Sequence, residues 1–261
     1  MSESPALQKT VQPEHRIFWT ARAASEVPES IAMLRGFFAR YAKNSQRLFP
    51  WRKPGIPPFE LLAAELLLVQ TKAEDVARVW PTLIARYPSP ERLARAQTRY
   101  LTRLLQPLGL QNQRARALKE LSLAIVKRFG GDVPQSMPEL LSLPHVGLYV
   151  ASAVSCFNHG RRVPIVDANV IRVFGRIIGV DAGKELRRCP KIWETAWGLL
   201  PTKNFARHNY GLLDFAAQVC RTRAPLCSSC QLNATCAYGR TTLKPDAGDQ
   251  SNTGAMPACS I

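Results

Sequence analysis

From about residue 29 to residue 219 apolar residues recur at three- and four-residue steps, the spacing of one face of an α-helix. The pattern predicts helices over 29–43, 58–70, 73–86, 90–96, 98–107, 112–128, 137–142, 147–157, 168–178, 190–199 and 206–219. Proline and glycine separate these runs: Pro57–Pro58, Pro88 and Pro90, Gly109, Gly130–Gly131, Pro144, Gly160 and Pro164. No alternating apolar–polar stretch suggests strand pairs, and the one extended run, Val163–Val166, is short. No internal repeat is present. The expected fold class is all-α, built from roughly ten short helices. Residues 1–25 are polar and mixed, and 241–261 are rich in Thr, Ser, Gly, Pro and Asp. Both tails are expected to be disordered.

Charge changes the picture. The 261 residues carry 35 Lys plus Arg against 19 Asp plus Glu, a formal net charge of +16. An excess of that size implies a polyanionic partner, and nucleic acid is the default. No run of about 18 apolar residues exists, so no membrane span is expected. The opening MSESPALQKT lacks the apolar core of a signal peptide, which points to an intracellular, cytoplasmic location, with DNA in the nucleoid as the polyanion.

Cys220, Cys227, Cys230 and Cys236 follow the spacing C-x6-C-x2-C-x5-C, in a stretch that Arg221, Arg223 and Pro225 keep from being helical. Four thiolates on a short loop can close round one metal centre. Zinc suits four thiolates, but its usual pattern is two separated C-x2-C pairs. Irregular spans suit a 4Fe–4S cluster, whose corners lie further apart than the ligand positions of a single ion. The cluster is therefore favoured over zinc, and a disulfide framework is disfavoured without a secretion signal. Cys156 reads as core packing; Cys189 and Cys259 read as incidental.

The segment Leu143-Pro-His-Val-Gly-Leu-Tyr-Val-Ala151 lies between two predicted helices. Gly147 is placed in the turn, where glycine allows a tight bend and a close approach of backbone to a ligand. With His145 and Val146 it precedes free N–H groups at the start of a helix, an arrangement that binds phosphate without a basic side chain. The plainer reading is an ordinary corner between helices.

Taken in order, Leu143–Ala151, Val166-Asp-Ala-Asn169 and the four-cysteine loop resemble the helix-hairpin-helix DNA glycosylases of the endonuclease III superfamily. Pro50-Trp51-Arg52, Glu65, Gln70-Thr71 and Gly109-Leu110-Gln111-Asn112 also fit, and the resemblance runs from about Phe49 to Tyr238. It implies a two-lobed fold: a six-helix lobe over 58–163 containing the hairpin, and a cluster lobe formed by 26–57 plus 164–240. It also implies DNA in a cleft, with the target base flipped out of the duplex. The expected partner is double-stranded DNA containing a mismatch, bound by a monomer.

By this resemblance Asp167 is the catalytic aspartate. Its plain role is an N-cap of the helix 168–178. The two are compatible, because a carboxylate at a helix N-terminus is favoured as the anion and can oppose an oxocarbenium-like transition state. Tyr149 occupies the position where strand-cutting relatives carry a lysine that forms a Schiff base; a phenol cannot do so. Base removal by water, with little strand cleavage, is expected. Glu65 faces Leu61, Leu62, Leu68 and Val69 on a helix, so burial should raise its pKa and suit it to general acid work. Its plain role is a buried structural carboxylate. Gln70 is expected to fill the gap left by the flipped base, and Gln111 and Asn112 to touch the opposite strand. Arg114, Arg116, Lys119, Arg161 and Arg162 are expected to attract phosphate.

Gly109–Ala115, Val166–Asn169 and Asn209-Tyr-Gly-Leu-Leu-Asp-Phe215 look most like the branch that removes thymine or uracil opposite guanine. Adenine-removing relatives typically have Gln at position 210 and a further C-terminal domain, for which the 25 residues after Cys236 are too few. Adenine opposite guanine or 8-oxoguanine is the alternative substrate. A non-catalytic iron–sulfur DNA-binding protein is the alternative of another class, opposed by the presence of both Asp167 and Glu65. Two departures stand out. Tyr210 replaces a small aliphatic residue in the base pocket, and His145 replaces the first hairpin glycine, tolerating positive φ better than most residues.

Overall fold

A computed structural model describes residues 29–44, 47–180 and 189–242. The expectations for residues 1–25 and 243–261, and for Cys259, lie outside the described residues. Twelve α-helices appear among them: α1 (Glu29–Asn44), α2 (Pro58–Leu68), α3 (Ala73–Arg86), α4 (Pro90–Ala94), α5 (Thr98–Leu105), α6 (Gln111–Phe129), α7 (Met137–Leu141), α8 (Leu148–Phe157), α9 (Ala168–Ile178), α10 (Pro190–Leu199), α11 (Phe205–Gln218) and α12 (Ala237–Thr242). The described residues contain no strand, and the fold is all-α. The eleven helices expected from periodicity occur with ends within two residues. The short α12 was not anticipated, and it places Thr241 and Thr242 in helix rather than in a disordered tail.

The chain divides into two compact units, Arg47–Arg162 and Met1–Gln46 with Val163–Ile261. In the first, α2 is apolar on every side and forms the centre: Leu61, Leu62, Ala63, Ala64 and Leu67 are wholly buried. Pro58 opens it, where a missing N–H costs nothing. α8 packs against α2, and its Ala151 and Ala153 are wholly buried. Cys156 is buried in α8, as core packing requires. Ser89 and Ser136 cap α4 and α7, each accepting from a backbone N–H three residues on. Trp51, in the 3-10 turn Pro50–Arg52, stacks on Phe49 and meets Trp80 edge-on.

The second unit is organised by α1 and α11. Phe37, Phe38 and Tyr41 of α1 surround Phe215 of α11 edge-on, at centroid distances of 5.5, 5.4 and 5.3 Å. Gly211 lets the two helices meet: a Cβ there would fall 2.4 Å from Ala42 Cβ and 2.7 Å from Ala42 Cα. The extended run Val163–Val166 pairs with no strand. It is held by the buried Asn209 side chain, which donates to Val163 O at 3.0 Å and accepts from Ile165 N at 3.4 Å. Cys189, read as incidental from its spacing, is buried and disulfide-bonded, whereas the other described cysteines are free.

Candidate functional site

The hairpin consists of α7, the residues Leu143–Gly147 and α8. Its strained position is His145, at φ +63°. Gly147, expected to supply the backbone freedom, has φ −91° and ψ −179°, a conformation open to any residue. Nothing lies within 4 Å of where a Cβ would be, which leaves the expected close approach open. The missing side chain keeps the N-terminus of α8 open to an approaching ligand. His145 Nε2 lies 2.7 Å from Glu120 Oε2, and Arg116 Nε donates to Glu120 Oε1 at 2.7 Å. Those two partners hold the Glu120 carboxyl below its ordinary value, Arg116 contributing most. Val146 is buried beneath the turn.

In the first turn of α8, the Tyr149 hydroxyl donates to Glu65 Oε2 at 2.7 Å. Glu65 lies on α2 and is 2% exposed. The two residues are 84 positions apart in sequence, so the packing of α8 on α2 creates the pair.

Beyond α2 the chain turns through Gln70, whose φ is +57°, and Gln70 is exposed together with Val69. Leu110 turns at φ +50° just before α6, leaving Leu110 and Asn112 exposed and Gln111 half-buried. Arg114 was expected to meet phosphate. It is instead 8% exposed and directed inward, with Nε on Gly109 O and the two terminal nitrogens on Leu67 O, Val69 O and Thr71 Oγ1. Lys119 likewise turns to Ala96 O and Thr98 Oγ1. Arg116 pairs with Glu120, while Arg161 and Arg162 are exposed.

In the other unit Asp167 caps α9. Its Oδ1 accepts from Val170 N at 2.7 Å, and its Oδ2 accepts from Asn169 Nδ2 at 2.6 Å. Sequence reasoning met Asn169 only as the end of the Val166–Asn169 motif and did not single out Arg172. Arg172 donates to Asn169 Oδ1 at 2.9 Å, to Ala216 O at 2.9 Å and to Cys220 O at 3.1 Å, so a single guanidinium runs from the aspartate's partner to the cysteine loop. The helical spacing of Asp167, Asn169 and Arg172 was available as a signal; the carbonyl acceptors were not. Tyr210 lies half-buried on α11, beside Asn209.

Cys220, Cys227, Cys230 and Cys236 line one pocket with Arg176 and Tyr238. Arg176 donates to Arg221 O and Thr222 O, lies 3.5 Å from Cys220 Sγ, and stacks over Tyr238 at 4.6 Å. Burial, and then the neighbouring cysteines, push the Cys227 and Cys230 thiols up; burial does the same to Cys236, with Cys220 and Cys227 adding to it. The raised Cys227, Cys230 and Cys236 thiols belong to a donor set whose thiolates a cationic centre would favour. Among the described residues no group of three Cys, His, Asp or Glu side chains forms a site for a metal ion. No helix among them is long and apolar enough to cross a membrane.

Residues 63–196 match the model of the HhH-GPD superfamily base excision DNA repair proteins. The chain is 38% identical over 213 residues to a thymine-DNA glycosylase of Aeropyrum pernix, covering 79% of this chain and 94% of that one. It is 35% identical over 207 residues to an adenine DNA glycosylase of Mycobacterium tuberculosis, covering 79% of this chain and 67% of that one. Among solved structures, that of a thermostable thymine-DNA glycosylase superposes with a TM-score of 0.75 at 31% identity, covering 81% of this chain and 97% of that one.

Proposed function

Given that the chain belongs to the HhH-GPD superfamily of base excision DNA repair proteins, we propose that it is a monofunctional DNA glycosylase acting on thymine or uracil mispaired with guanine. The observation that carries the monofunctional reading is the Tyr149–Glu65 bond. The residue that a lyase would need as an amine is here a phenol engaged with a carboxyl group. Water, rather than a lysine, is then the nucleophile.

Asp167 supplies the opposing charge. Held by Val170 N–H and Asn169 Nδ2, its carboxylate needs no reorganisation as positive charge develops on the deoxyribose. Glu65 is the proton-bearing group, and Tyr149 fixes the orientation of its carboxyl. The open N-terminus of α8 at Gly147 and the exposed Arg161 and Arg162 engage phosphates of the duplex. Gln70 fills the space of the flipped base, and Gln111 and Asn112 meet the opposite strand. Tyr210 lines the base pocket.

The four cysteines fit a 4Fe–4S cluster: they share one pocket, and Arg176 and Tyr238 flank them. Bound there, a cluster would supply a covalent cross-link of the loop. Arg172 and Arg176 fasten that loop to α9, and Arg221 and Arg223 stand exposed on it.

Single-turnover base release on T·G, U·G, A·G and A·8-oxoguanine duplexes, with and without alkali, tests the reading. Breaks at T or U that appear only after alkali are expected. Breaks at A would favour the adenine alternative, for which the Mycobacterium tuberculosis relative speaks. Breaks without alkali would overturn the monofunctional assignment.

A further inference from the structure

Besides His145 in the hairpin, two exposed turns of the Arg47–Arg162 unit place a residue other than glycine at positive φ: Gln70 at +57° and Leu110 at +50°. Each costs roughly 1 kcal/mol, and such conformations persist only where their surroundings over-determine them. The surroundings of both turns include one side chain. Arg114 holds Val69 O and Thr71 Oγ1, on either side of Gln70, at 3.4 and 2.5 Å, and Leu67 O at 3.0 Å. With Nε it holds Gly109 O, the residue before Leu110, at 3.0 Å. Arg114 is 8% exposed, and its acceptors are two carbonyls and a hydroxyl at the two turns, Val69 O, Gly109 O and Thr71 Oγ1, with one further carbonyl, Leu67 O, from the end of α2; none is a carboxylate. It also sits in the first turn of α6, where the helix dipole disfavours a cation. A buried charge without a counter-ion, at the wrong end of a helix, is a poor device for stability alone. Its geometry, however, is one that only a planar fork of donors can meet.

We propose that Arg114 is a positioning residue that locks the Gln70 turn and the Leu110–Gln111 turn into one rigid element, so that the residue entering the gap of a flipped base and the residues meeting the opposite strand keep a fixed spacing. This rests on the glycosylase reading for what the two turns touch, but not for the coupling itself. Loss of the fork would free both turns together.

The experiment has two readouts, each on Arg114→Lys and on the milder Thr71→Val, which removes a single acceptor. Amide hydrogen exchange of the free protein should show residues 69–71 and 109–111 losing protection together, with α2 and α8 unchanged. Loss in one turn only, in neither, or throughout the unit would overturn the coupling. Single-turnover base release by Arg114→Lys should fall about 10- to 100-fold, as expected when a positioning group shifts by about 1 Å. In that background Gln70→Ala should cost less than it does alone, because the turn is already displaced. An unchanged rate, or fully multiplicative losses, would overturn the positioning role. If the unsubstituted protein releases no base from any duplex, the glycosylase reading fails, and the exchange measurement still decides the coupling.

Discussion

The Tyr149 hydroxyl donates to Glu65 Oε2 at 2.7 Å, joining the first turn of α8 to the buried helix α2. Tyr149→Phe removes that donor and leaves a buried carboxyl group short of a partner. A stability loss of about 1–3 kcal/mol is expected, together with slower base release. Thermal unfolding and single-turnover kinetics check the two effects. Tyr149→Lys introduces the missing amine, and borohydride should then trap a covalent adduct with substrate DNA that the unsubstituted protein does not give.

Asp167→Asn separates capping from chemistry. Asparagine caps a helix about as well as aspartate, so the stability change should stay within about 1 kcal/mol. Base release should fall by about a hundredfold or more, because the anion is lost. Binding to mispaired DNA should persist. Undiminished turnover would remove Asp167 from the mechanism.

Cys227→Ser should lower bound iron, thermal stability and DNA affinity together. The loop would lose a ligand while its Arg172 and Arg176 contacts on the carbonyls of Cys220 and Arg221 remained. Iron content, unfolding temperature and a binding titration on one preparation test this, and a variant with iron and affinity intact would reject the cluster.

His208 is buried in α11 beside Phe38, and neither ring nitrogen has a hydrogen-bond partner. Burial, and secondarily the charge of Arg35, pull its pKa down to about 4. Folding thus lowers the pKa of a base. The unfolded chain takes up the proton first as pH falls below about 6.5, so stability from this group is complete above that pH and is lost between about 6.5 and 4. Denaturant unfolding across that window should show a slope that His208→Leu reduces, by at most about 1.4 kcal/mol per pH unit.

Gly211→Ala should destabilise the α1–α11 contact by about 1–3 kcal/mol, since the added Cβ would meet Ala42 Cβ and backbone rather than a movable side-chain end. The unfolding temperature is the check.

The helical frame was legible because proline and glycine mark its joints and because α2 and α8 declare their burial in composition. The short α12 was not, since six residues of mixed polarity carry no periodic signal. Glu65 and Tyr149 were each conspicuous, one for its apolar neighbours and the other for its register with Asp167, but their bond depends on how α8 lies on α2. Arg114 shows the limit of reading charge from sequence. Its nearest acceptor on the Gln70 side is 43 residues away, and only tertiary packing turns an apparent phosphate ligand into an internal brace. The positive φ at His145 agrees with its place at the first hairpin glycine, whereas Gly147 takes an ordinary extended conformation and contributes only open space.

Asn209 and Tyr210 are neighbours on α11 with separate duties. The amide of Asn209 grips Val163 and Ile165, the backbone that leads into Asp167, while Tyr210 lies half-buried on the same helix, where we propose that it contacts the base. The carboxylate proposed to act in base release is thereby anchored by the residue next to the one proposed to choose the substrate. Replacement of Tyr210 leaves that anchor in place. On the proposed roles, a lineage would retune which base it recognises one side chain at a time while the backbone around Asp167 stays where it is.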